Sequence, residues 1–133
     1  MDLYQQELID HYYHPRNNGV FYEADFSSGE HNPSCGDSVT IEGLVEGDTL
    51  KDVRFEGYGC VISQAVTSML TEKYKNKLLK DLLALTKNDM LDLVGGKLGP
   101  TRLKCALLGL HALQHGIKDY QKKEATKKEK KEK

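Results

Sequence analysis

From Ser38 to Glu56 the chain alternates apolar and polar residues twice, on either side of the turn tripeptide Glu46-Gly47-Asp48. Val39, Ile41 and Val45 fall on one face of the first run, with Ser38, Thr40 and Glu42 on the other. Val53 and Phe55 oppose Asp52, Arg54 and Glu56 in the second run, from Thr49 to Tyr58. Period-two alternation broken by a tight turn predicts a β-hairpin with one buried face. At Gly57-Tyr58-Gly59-Cys60 the period changes, and apolar residues at 61, 62, 65, 66, 69 and 70 form a helical stripe. The second strand therefore runs straight into a helix.

The rest of the chain adds helices around this hairpin. Leu3 to Tyr13 has helical spacing, stopped by His14-Pro15, and Val20 to Ser28 is read as an edge strand after the Asn17-Asn18-Gly19 turn. Lys77 to Leu85 predicts a short helix, and Thr86 with Asp89 predicts a capped one that Gly95-Gly96 ends. Pro100 suits the first turn of a last helix, with apolar positions at 103, 106, 107, 110, 113 and 117. Segregated strands and helices predict an α+β fold, helices packed on one face of a small antiparallel sheet.

A chain of 133 residues suits one domain, taken as residues 1–120, with a core that needs no disulfides. Three cysteines cannot all pair within the chain, and the N-terminus lacks the apolar stretch of a signal peptide, so a reducing cytoplasm is expected. No apolar run approaches the ~18 residues of a membrane span. The net charge of −1 divides into about +4 on residues 121–133, a Lys/Glu-rich flexible tail or helix extension, and −5 elsewhere. That tail has no arginine or aromatic residue, so neither nucleic acid nor membrane is an expected partner.

The three cysteines lie at element boundaries or in first helical turns. In Asn32-Pro33-Ser34-Cys35-Gly36-Asp37, an extended backbone would project Cys35 and Asp37 to one side, as a ligand pair. The alternative is a proline-containing turn with Cys35 as a small hydrophobe. Hairpin topology brings Cys35 towards Cys60, which sits at a helix N-terminus where free N–H groups favour anionic sulfur. Gly57 and Gly59 fit either a binding loop or a bulge. Cys105 follows Arg102 and Lys104, whose charges would lower a thiol pKa; solvated surface charge is the other reading of the two. Three thiolates and the Asp37 carboxylate make the four ligands of a tetrahedral Zn2+ site or one edge of an iron–sulfur cluster. The spacing lacks the paired C-x-x-C of zinc ribbons and leaves the shared site open. His11-x-x-His14 and His111-x-x-x-His115 could chelate but lack a third ligand nearby, and His31 is a reserve ligand.

The motifs LIDHYYHPRNNG, NPSCGD, FEGYGCVISQAVTSMLTE and RLKCALLGLHALQHG occur in this order, and together they resemble the IscU/SufU (NifU-like) iron–sulfur cluster assembly family over residues 3 to 118. The resemblance implies a three-stranded antiparallel sheet with helices on one side. It also implies that Cys35, Asp37, Cys60 and Cys105 converge on one exposed site, supported by Gly36, Gly59, Arg102 and Lys104. That site would carry Zn2+ or a transient [2Fe-2S] cluster.

Lys104 stands where the IscU branch has histidine, and LGPTRLKC lacks that branch's chaperone-recognition segment; both point to SufU. Val61 to Lys104 is short, however, without the SufU insertion, which leaves the docking surface undefined. The expected activity is a zinc-dependent, sulfurtransferase-like one: Cys35 accepts persulfide sulfur from a SufS/IscS-like cysteine desulfurase and passes it towards recipient assembly or apo proteins. A scaffold that builds and hands on a [2Fe-2S] cluster is the alternative, and a structural zinc module serving as an interaction surface is a third.

Overall fold

The computed structural model describes residues 2–132, with side chains through Lys128. Helix α1 (Leu3–Tyr13) begins at a capping box: the Asp2 side chain accepts from Gln5 N, and the Gln5 side chain accepts from Asp2 N. It ends at His14, before Pro15 as expected. Strands β1 (Phe26–Asn32), β2 (Asp37–Glu46) and β3 (Thr49–Tyr58) form one antiparallel sheet in the order β1-β2-β3. Helix α2 (Val61–Tyr74) leaves the end of β3, followed by α3 (Leu79–Leu83), α4 (Lys87–Leu93) and the long α5 (Pro100–Glu132), which continues through the Lys/Glu-rich segment.

The buried sheet face carries Phe26, Val39, Ile41, Leu50, Val53 and Phe55, against Val66 and Leu70 of α2 and Ala112, Leu113 and Ile117 of α5. Helix α5 lies across β1 and β2, and α2 packs between α1 and α5. The predicted α+β architecture, with helices on one sheet face, is the one observed.

Three details depart from the sequence reading. The first strand starts at Phe26, not Val20; residues before it are tied down singly, by Phe21 N donating to Glu42 Oε1 at 2.9 Å and Asp25 N to the Gly43 carbonyl at 2.8 Å. Val45 is only half-buried, because the β2–β3 register shifts between Leu44 and Val45. The helix expected from Lys77 starts two residues later, since Leu50 N donates to the Lys77 carbonyl and Thr49 bridges to Leu78.

The largest difference concerns α2. Its stripe of apolar residues is buried as predicted over most of its length, yet Ser63, Gln64, Thr67, Ser68 and Thr71 are buried as well. The threonine hydroxyls close locally, Thr67 Oγ1 donating to the Ser63 carbonyl at 2.7 Å and Thr71 Oγ1 to that of Ser68 at 2.8 Å, while Ser68 Oγ bonds across to His11 and Arg16. Such pairing lets a polar helix face enter the interior without orphaned groups. No helix among the described residues is long and apolar enough to cross a membrane.

Candidate metal centre

Register places three chain ends together. Asn32 at the close of β1 pairs with Asp37 at the start of β2, and Ser38 pairs with Tyr58 at the end of β3. Between Asn32 and Asp37 the backbone folds into a tight turn, with Cys35 N and Gly36 N donating to the Asn32 carbonyl at 3.3 and 2.8 Å. The Asn32 side chain accepts from Ser34 N at 3.1 Å, and Gly36 has φ 73°, the left-handed conformation glycine adopts without steric cost. This corrects the extended reading of NPSCGD. Cys35 and Asp37 converge through a turn, and not through strand alternation.

Asp37 is fully buried. Its Oδ1 accepts from Cys60 N at 2.8 Å, and the Cys60 thiol donates to Oδ2 at 3.5 Å. Gly59 makes this possible: with φ 138°, it passes so close to the carboxylate that a Cβ would lie 2.1 Å from Asp37 Oδ1. Cys60 is the N-cap of α2, its sulfur accepting from Ser63 N at 3.4 Å. Sequence reasoning overlooked Ser63, although the signal was present: the third residue of a helix is the one whose N–H its cap reaches.

Cys105 comes from the second turn of α5 and is buried, while Cys35 and Cys60 are exposed. Sulfur atoms of Cys35 and Cys105 and a carboxylate oxygen of Asp37 all lie within 4.8 Å of one another. Burial pushes the Cys105 thiol well above the usual thiol range, and the adjoining Asp37, Cys60 and Cys35 push it further. Lowering by Arg102 and Lys104, expected from the sequence, is therefore not found; both side chains are exposed.

The histidines stand apart. Among the described residues the compact donor group holds no His31, which is exposed on β1. His11 is buried between α1 and α2, with Nδ1 2.7 Å from Ser68 Oγ. His115 pairs with Glu30.

Among the described residues the compact donor group of Cys35, Asp37 and Cys105, with Cys60 outside it but bonded to Asp37, fits a metal ion. Around a tetrahedral Zn2+ with Zn–S bonds of ~2.3 Å, ligand atoms are separated by roughly 3.8 Å, within the spread seen here. The sequence of the NifU-like N-terminal domain matches residues 3–127, most of the chain. The chain belongs to this family.

Among its relatives, the iron–sulfur cluster assembly scaffold protein IscU of Aquifex aeolicus is 42% identical over 119 residues, covering 88% of this chain and 75% of that protein. The zinc-dependent sulfurtransferase SufU of Bacillus subtilis is 36% identical over 132 residues, covering 86% and 89%. A solved SUF-system structure, FiSufU from Fervidobacterium islandicum AW-1, superposes with a TM-score of 0.76 at 29% identity, covering 84% of this chain and 94% of the other. The fold is thus that of a NifU-like domain with both IscU and SufU relatives.

Proposed function

We propose that this NifU-like domain is an iron–sulfur cluster assembly protein that binds Zn2+ through Cys35, Asp37, Cys60 and Cys105 and accepts persulfide sulfur on Cys35 from a cysteine desulfurase. The observation that carries the reading is the convergence of Cys35, Asp37 and Cys105 within 4.8 Å, with Cys60 bonded to the same carboxylate. When bound, Zn2+ supplies the charge that keeps its cysteine ligands deprotonated.

Each residue then has a distinct task. Cys105, buried, and Cys60, held at the start of α2, form the fixed side of the cluster. Asp37 offers a harder oxygen donor, more readily exchanged by soft metals than a thiolate. Cys35 is exposed on the turn and accessible to a partner's persulfide. Its thiolate attacks the terminal sulfur of that persulfide; a new S–S bond forms on Cys35, the donor's S–S bond breaks, and the desulfurase cysteine departs as thiolate. Electrons balance without an outside oxidant. Arg102 and Lys104, exposed in the first two turns of α5, would add positive charge that attracts anionic sulfur donors.

A scaffold that assembles a [2Fe-2S] cargo for recipient proteins is the second reading, favoured by the short IscU-like stretch from Val61 to Lys104 and the 42% identity to the Aquifex scaffold. One experiment separates them: the purified protein is mixed with a desulfurase, cysteine and Fe2+. Copurified zinc at about one per chain, with faster desulfurase turnover, is expected for the carrier. Stoichiometric cluster absorbance in protein lacking tightly held zinc would overturn it in favour of the scaffold.

A further inference from the structure

The sequence gives His111 and His115 no partner; the fold brings Glu30 to His115. The two imidazoles sit one turn apart on α5, ring centroids 6.4 Å from each other and planes inclined by 26°. Both side chains are exposed, so an ion can reach them from solvent. Glu30 of β1, brought beside α5 by the packing of the helix on the sheet, pairs with His115 Nδ1. A carboxylate only accepts, so in neutral His115 Nδ1 carries the proton and Nε2 keeps a lone pair. A carboxylate on the far ring nitrogen is the arrangement that orients metal-ligating histidines. Asp119 lines the same depression as Glu30 and His115, adding a second carboxylate nearby.

We propose that His111 and His115, with Glu30 orienting His115, form a second metal site that takes a borderline divalent first-row ion such as Zn2+ or Ni2+, independent of the cysteine cluster. Imidazole nitrogen selects such ions over Mg2+ and Ca2+, and water completes the coordination. The site cannot share an ion with Cys105: along the helix the histidines lie about 9 and 15 Å beyond it, and roughly 120° and 80° around the axis.

The test uses untagged protein preloaded with one equivalent of Zn2+ and titrated with Ni2+, followed by calorimetry and by paramagnetic broadening of amide resonances. One further saturable equivalent is expected, with broadening centred on residues 29–31 and 111–115. His111→Ala and His115→Ala should each weaken it at least ~10-fold, and Glu30→Gln by several-fold. Because both histidines are exposed, an unchanged Tm will show that the variants fold. Nickel binding unaffected by either histidine substitution, or broadening confined to Cys35 and Cys60, overturns the site. Wild-type affinity in Glu30→Gln overturns the orienting role. Failure of the cysteine cluster to hold zinc would leave the comparison of histidine variants intact, so the two assignments fall separately.

Discussion

At Cys35 and Gly59 the site is most sensitive to single atoms. Cys35→Ala should abolish persulfide labelling by a desulfurase while leaving the fold unchanged, because the thiol is exposed; mass spectrometry showing retained label would refute its role. Gly59→Ala forces a methyl to within 2.1 Å of Asp37 Oδ1 at a backbone angle alanine rarely adopts. It should lower stability by about 1–3 kcal/mol in thermal unfolding and weaken zinc binding as Asp37 is pushed aside. That Cys35, Asp37 and Cys105 come together was anticipated from the family resemblance, and their mode of convergence was not. Alternation suggested that Cys35 and Asp37 share a strand face, whereas the Asn32-centred turn brings them together. Nothing local in Arg102 or Lys104 signals that Cys105 is sealed in the interior, since burial depends on how α5 meets the rest of the fold.

Between elements, the contact of α1 with α2 rests on a buried polar junction. Ser68 Oγ meets His11 Nδ1 and accepts from Arg16 N at 2.8 Å, and Arg16 reaches Asp10 and Glu72. Burial, then the Arg16 charge, hold the His11 pKa below the usual histidine value, against opposing contributions from Glu72, Asp10 and Glu7. Unfolded His11 then binds protons more readily than folded His11, so this contribution to stability is complete above ~6.5 and is lost as pH falls from there through the lower folded-state pKa. Melting temperatures measured from pH 8 to 5 should drop more steeply for the wild type than for His11→Gln; parallel curves would refute the assignment. Ser68→Ala, which strands both partners, should cost about 1–3 kcal/mol. Helix boundaries were well read where caps exist, as at Thr86 and Asp89. The first strand was placed too early because FSSGEHN has one apolar residue and no apolar alternation; only pairing with β2 makes it a strand.

Across the whole molecule, the continuous core from Phe26 through Phe55, Leu70 and Leu113 should keep the fold without metal. Chelator-treated protein is expected to retain its far-ultraviolet circular dichroism at 25 °C, with Tm rising on zinc addition. Unfolding on chelation would instead favour a purely structural zinc module. The topology places Cys35 and Cys60 outward and Cys105 inward. A cluster walled off below and open above has a single doorway. On the proposed reading, the protein that loads this site and the protein that empties it meet it from the same exposed side, so delivery and collection take turns, and an excess of either visitor will block the other.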